Sequence, residues 1–116
     1  FTDLIGDGCP CYVPRSVTGL ETGVELLREA CAVVGLAHPF RYDDVGAALS
    51  VARDLDAVER WYPYGRPVDT SRVDRVVESA SLLATGGSDA HGQTLGAAGL
   101  TDSAFEPIRE RLPEPR

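Results

Sequence analysis

The feature that most constrains the fold is a threefold alternation between helix-like and strand-like patterns. Hydrophobic side chains recur at helical spacing from Thr18 to about Ala30, after Asp43 or Asp44, and again from about Ser71. Each helical pattern is followed by a short apolar run typical of a strand buried on both faces, at 33–37, 55–59 and 82–85. Short connections favour parallel strands joined by right-handed crossovers. The sequence therefore predicts an α/β fold with three parallel strands alternating with helices.

Two further local patterns concern the start of the first predicted helix and the position of a last helix. Thr18 and Glu21 have the spacing of a capping box at the start of the first helix. A last helix is predicted near 103–112, with Phe105, Ile108 and Leu112 directed inward and Pro107 in its first turn.

The length of 116 residues fits a single domain over 1–116. Three strands are too few to close a barrel, so we expect the sheet to continue in strands outside this sequence or in a second copy, through an exposed sheet edge. The chain starts at Phe1 and contains no methionine, which leads us to expect that it is part of a longer protein.

Charge and composition exclude several classes of function. The chain has 11 basic and 18 acidic side chains, a net charge of −7, and all its basic residues are arginine. This balance does not fit a duplex-binding module or a polybasic membrane surface. The longest apolar stretches, 30–37 and 79–85, are too short to span a bilayer. We expect no duplex nucleic acid, no membrane and a cytoplasmic location, with the acidic, lysine-free composition reflecting a halophile-like or G+C-rich origin.

The reactive side chains fall just after predicted strands. His38 follows the first strand, Glu59 closes the second, and Asp89 and His91 follow the third within a glycine-flanked segment. Sites in parallel α/β folds are built at the carboxyl ends of strands, and residues two apart in an extended segment project to the same side. Mixed imidazole and carboxylate ligands suit zinc, manganese or iron. His38, Asp89 and His91 are therefore candidate metal ligands.

Less specific explanations exist for each of these residues. A histidine in Ala-His-Pro is often satisfied by a backbone carbonyl, and Glu59 is as readily explained by a salt bridge to Arg60 or Arg41. The aromatic residues after the second strand suit a substrate pocket or simple packing. The three cysteines, an odd number, fit packing thiols in a reducing compartment better than a metal site; they are Cys9, Cys11 and Cys31.

Three segments together resemble a known family. Leu-Ala-His-Pro-Phe-Arg-Tyr at 36–42, Asp-Ala-Val-Glu at 56–59 followed by Tyr62-Pro63, and Leu-Ala-Thr-Gly-Gly-Ser-Asp-Ala-His-Gly at 83–92 are similar to the second half of a PHP (polymerase and histidinol phosphatase) domain. The similarity extends over nearly all of 1–100 and is strongest to the stand-alone metal-dependent phosphoesterases of that family.

The resemblance implies the C-terminal part of a distorted (β/α)7 barrel that holds two or three divalent metal ions (Mn, Zn, Fe or Mg). It implies hydrolysis of phosphate esters, of nucleotides or RNA ends, by metal-activated water. His38 matches a ligand of the third motif, Asp89 and His91 match the two ligands of the fourth, and Arg41 matches an arginine suited to substrate phosphate.

Some features of the family are absent from the sequence. The His-x-His pair and the glutamate ligand of the first two motifs have no counterpart in 1–116, and Tyr64 and Gly65 stand where relatives often carry a histidine. The alternatives are a non-catalytic PHP remnant that binds a metal or a protein partner, and a structural domain whose histidines are only packed.

Overall fold

A computed structural model describes residues 4, 8–14, 16–92 and 95–113. The elements in chain order are α1 (Leu20–Ala30), β1 (Gly35–Leu36), a 3-10 turn (Pro39–Arg41), α2 (Val45–Ala52), β2 (Ala57–Trp61), α3 (Ser71–Ala80), β3 (Leu83–Gly86) and α4 (Asp102–Arg109). The strands form one parallel sheet in the order β1-β2-β3. The predicted α/β alternation with three parallel strands is therefore confirmed.

The hydrophobic core lies on one face of this sheet. Val58 of β2 is fully buried against α2 and α3, where it packs with Leu49, Ala52, Val73 and Val76. These are the positions that helical periodicity selects, so the pattern predicts the core correctly. On the same side, Arg60 forms a 2.6 Å ion pair with Asp74 and ties β2 to α3.

The second face of the sheet has much less cover than the sequence predicts. β1 has one exposed and one half-buried residue, and every residue of β3 is half-buried. The prediction of burial on both faces is wrong for β1 and β3, whereas Ala57 and Val58, adjacent residues of β2 that point to opposite faces, are both fully buried. α1 also buries none of its residues, and Leu20 and Leu26 remain 60% and 56% exposed.

The helix starts differ from the predictions in two places. α1 is capped by Gly19, with no side-chain hydrogen bond, so Glu21 lies at the second helical position and the Thr18 capping box does not form. Of the two candidate caps for α2, Asp44 is the one used, because its Oδ1 accepts a 2.9 Å hydrogen bond from the N–H of Ala47.

The last helix also begins earlier than predicted. Thr101 accepts a hydrogen bond from the N–H of Ala104, so α4 starts at Asp102 and Pro107 falls in its second turn instead of its first. None of the residues of α4 is buried, and Phe105 is 41% exposed, so the predicted inward face is not enclosed. No helix within the described ranges is long and apolar enough to cross a membrane.

A bulge between β2 and β3 shapes the end of the sheet. Glu59 pairs with Thr85 and Trp61 pairs with Gly86, which leaves Arg60 as the extra residue on β2. A Cβ at Gly86 would lie only 2.8 Å from the Cβ of Trp61, so this close pairing requires glycine. The bulge sets the direction in which the chain leaves β2, just before Tyr62.

Candidate functional site

His38 follows β1 in a conformation that side-chain-bearing residues rarely adopt. Its φ of 32° and ψ of 62° place it in the left-handed region. Its backbone N–H donates a 2.6 Å hydrogen bond to Oε2 of Glu59, in the middle of the neighbouring strand β2. Strained backbone of this kind concentrates at functional sites, where the surrounding structure holds it in place.

The His38 ring carries a buried nitrogen with no partner in the described part of the chain. Nδ1 is buried and forms no hydrogen bond. The ring packs edge-on against Tyr62, with 5.3 Å between the centroids. Because buried polar atoms are nearly always hydrogen-bonded, an unpaired imidazole nitrogen is a candidate ligand for a metal ion.

The hydroxyl of Tyr62 connects two of the predicted site residues. It accepts a 2.8 Å hydrogen bond from Nη1 of Arg41 and donates a 2.9 Å hydrogen bond to Oδ2 of Asp89. Asp89 is also in the left-handed region, with φ of 46°. Arg41, Tyr62 and Asp89 therefore form a continuous polar chain across the carboxyl end of the sheet.

His91 lies beside Asp89 and is largely exposed to solvent. Its Nδ1 is 2.8 Å from the backbone oxygen of Asp89 and 4.0 Å from the Oδ1 of that residue. A carbonyl oxygen only accepts, so Nδ1 must carry the hydrogen, and Nε2 of the neutral ring keeps its lone pair. Histidines that bind a metal through one ring nitrogen usually donate the N–H of the other ring nitrogen to a carbonyl oxygen or a carboxylate.

The carboxyl group of Glu59 is partly buried at this end of the sheet. Burial raises the pKa of its carboxyl group above the ordinary value, and the charge of Asp89 raises it further. The backbone hydrogen bond from His38 and the charge of that residue act in the opposite direction. The salt bridges considered for Glu59 do not form, because Arg60 pairs with Asp74 and Arg41 bonds to Tyr62.

Arg41 is exposed, and within the described ranges no carboxylate lies within 4.0 Å of it. Hydrogen bonding to Tyr62 is the main cause that raises the pKa of Arg41. The guanidinium thus stays positively charged at the rim, with donors not used by Tyr62.

The donors suit a divalent transition metal in kind but do not form a complete set. His38 and Asp89 both contact Tyr62, and His91 adjoins Asp89. However, no cluster of three or more His, Cys, Asp or Glu residues suited to a metal ion occurs in the described residues. The cysteines, which all lie in the described ranges, form no disulfide.

Sequence reasoning underestimates Tyr62 and Glu59. Tyr62 is one of several aromatic residues after a strand, and no sequence signal separates its bridging hydroxyl from ordinary packing. Glu59 is placed at the same rim as His38 by its position in the second predicted strand, but the sequence carries no signal that its carboxylate accepts the backbone N–H of His38.

No protein-family model matches this chain, and neither a curated protein nor a solved structure matches it significantly.

Proposed function

We propose that this chain carries part of the centre of a metal-dependent phosphoesterase of the PHP type, which hydrolyses phosphate esters of nucleotides or RNA ends. The observation that supports this most is the unpaired, buried Nδ1 of His38 beside the Arg41–Tyr62–Asp89 chain. An available imidazole nitrogen, a carboxylate and a guanidinium at one end of a parallel sheet suit the binding of a cation and a phosphate together.

His38, Asp89 and His91 would each contribute a ligand to divalent ions such as Mn, Zn, Fe or Mg, although the three side chains do not form a complete cluster around one ion by themselves. The sequence contains two histidines in all, so any further histidine ligands of a two- or three-ion PHP centre would come from outside these 116 residues. When bound, such an ion would lower the pKa of water and offset negative charge on the phosphoryl oxygens. Asp89 is oriented for this role by the Tyr62 hydroxyl, and His91 by the Asp89 carbonyl.

Arg41 would bind the phosphate of a small phosphorylated substrate. Its planar donor fork matches two phosphate oxygens, and one of its nitrogens is already fixed by Tyr62. This hydrogen bond limits the conformations of the long side chain, which lowers the entropy lost when a phosphate binds. Glu59 would act as a positioning residue, because it accepts the backbone N–H of His38.

We also propose a complete fold, a cellular location and an oligomeric state for the protein. The parallel order of the strands and the poorly covered second face support their being the C-terminal part of a (β/α)7 barrel, with that face directed inward. A cytoplasmic location and self-association through the sheet edge belong to the same proposal.

The test is phosphate release from nucleoside monophosphates and short 5′-phosphorylated RNA in the presence of Mn²⁺. It is made on this chain and on any longer product of its gene. We expect hydrolysis that falls at least tenfold in Arg41→Gln and is unchanged in Arg111→Gln, a matched exposed arginine. Absence of hydrolysis in both products, or equal loss in the two variants, would overturn the proposal.

A second candidate is a metal- or partner-binding module without catalysis. The incomplete ligand set within the described residues and the exposed leucines of α1 favour it. This candidate predicts Mn²⁺ binding without phosphate release, and sedimentation as a dimer or larger species.

A further inference from the structure

A groove between α2 and α3, on the helical side of the sheet, collects three arginines. It has a volume of about 660 Å³ and is lined by Arg53, Arg72 and Arg75 together with one acidic residue, Glu78, and small or apolar residues. Arg53 follows the end of α2, whereas Arg72 and Arg75 lie in the first half of α3. None of these residues belongs to the candidate metal centre, so a ligand site in this groove is independent of the proposed phosphoesterase function.

These three guanidinium groups are not neutralised by carboxylates. Arg53 donates to Oγ of Ser79 at 3.0 Å, and Arg75 donates to Oγ of Ser71 at 2.9 Å. Among the residues that the structure describes, no carboxylate lies within 4.0 Å of any of the three. This is notable in a chain where acidic residues outnumber arginines 18 to 11.

Three acidic residues lie near the groove without pairing with its arginines. Oδ1 of Asp44 and Nη2 of Arg72 would both lie within 4 Å of a Cβ at Gly46. Glu78 contributes to the lining. Asp69 is bound by Ser71, whose hydroxyl is the main cause that lowers the pKa of Asp69, and the charges of Arg75 and Arg72 lower it further. Arg72 and Arg75 are therefore close enough to Asp69 to stabilise its charged form.

We propose that this groove binds a short polyphosphate chain, the chemistry shared by inorganic polyphosphate and nucleoside triphosphates. Arginine forks match phosphate oxygens in geometry as well as charge. The groove runs along α2 from Gly46 to Arg53. With a rise of 1.5 Å for each of these seven residue steps, its length is about 10 Å. Its volume is also within the usual range of small-ligand sites.

A nucleic-acid strand fits the groove less well than a small ligand. Proteins that bind single strands combine a basic groove with aromatic side chains on which bases stack. No aromatic side chain is among the described residues that line this groove. The net charge of −7 also opposes the approach of a long polyanion.

The experiment is calorimetric titration of the chain with inorganic tripolyphosphate at about 150 mM salt, near physiological ionic strength. Saturable one-to-one binding is expected, weakened at least tenfold in both Arg72→Gln and Arg75→Gln, because each variant loses charge-assisted hydrogen bonds. Arg111→Gln is the matched control and should bind as the unmodified chain does. ATP in a parallel titration distinguishes a nucleotide from a bare polyphosphate as the source of the phosphates.

Amide chemical shifts provide a measurement that requires no variant. Tripolyphosphate should shift the signals of Gly46 and Ser50, which line the groove, and leave those around His91 unchanged. Absence of saturable binding, equal weakening by Arg111→Gln, or shifts confined to the region of His91 would overturn the proposal. Tighter binding of a single-stranded RNA 12-mer in the same groove would also overturn it.

Discussion

The Tyr62 hydroxyl donates a 2.9 Å hydrogen bond to the Asp89 carboxylate, although the two residues are 27 positions apart and follow different strands. Tyr62 comes two residues after the bulge at Arg60, and Asp89 has a left-handed backbone. Because the same hydroxyl accepts from Arg41, one tyrosine positions both the proposed metal ligand and the proposed phosphate ligand.

Tyr62→Phe removes this hydroxyl and keeps the aromatic ring that packs against His38. If Asp89 binds a metal ion, loss of its positioning partner should weaken Mn²⁺ binding about 10- to 100-fold. The dissociation constant, measured by calorimetry, checks this.

Tyr12→Phe is the matched control, because Tyr12 is exposed and lies outside the site. Equal Mn²⁺ affinity in Tyr62→Phe and the unmodified chain would show that Tyr62 does not position a ligand.

Glu59→Gln should change how the stability of the fold depends on pH. The folded pKa of Glu59 is raised above its ordinary value of 4.5, chiefly by burial, so the folded state holds the proton more tightly than the unfolded state. This contribution is fully present below the unfolded pKa and is lost as pH rises through the folded pKa. Urea denaturation from about pH 4 upward should show this decline in the unmodified chain and its absence in Glu59→Gln. The same decline in both proteins would refute the assignment to Glu59.

Gly86→Ala should disturb the sheet next to the site. The added methyl group would lie 2.8 Å from the Cβ of Trp61 and 3.0 Å from its backbone oxygen, so the bulge has to shift. We expect a loss of about 1–3 kcal/mol in the free energy of unfolding. Gly92→Ala is the control, since no atom lies within 4 Å of the corresponding position there. Equal stability of the two variants would contradict the close pairing of Gly86 with Trp61.

Val73→Ala tests the core between the sheet and α3. Val73 is fully buried, and removing two methyl groups should cost about 2 kcal/mol of unfolding free energy. Val17→Ala is the matched change at a residue that is 80% exposed, and it should alter stability by less than about 0.5 kcal/mol. Chemical denaturation that ranks the two variants in the opposite order would contradict the burial of Val73 in the core.

The order of the elements and the core were predictable from the sequence, because both depend on local periodicity. Val73 and Val76 lie on one face of α3 because of their spacing alone, independently of the rest of the chain. α3 begins at Ser71, as predicted. The positions of His38 and Asp89 after the two outer strands, β1 and β3, follow from the same pattern combined with the rule for parallel sheets.

The contacts within the site were not predictable in the same way. The bulge at Arg60 arises from pairing between strands, and the Tyr62–Asp89 bond joins residues that are 27 positions apart. Thr18 has a good capping side chain and so predicts a start of α1 that is one residue too early, whereas the structure uses Gly19. The exposure of α1 and β3 depends on what covers them, which is a property of the assembled fold and not of local spacing.

The most direct test of the proposed metal site is calorimetric titration of Mn²⁺ into the chain and into two aspartate-to-asparagine variants. Asparagine tolerates the left-handed backbone at position 89, so Asp89→Asn removes the charge with little change in the fold. Asp54→Asn is the matched exposed control. We expect saturable binding that is at least tenfold weaker in Asp89→Asn and unchanged in Asp54→Asn. Absence of saturable binding, or the same affinity in both variants, would contradict a metal site at Asp89.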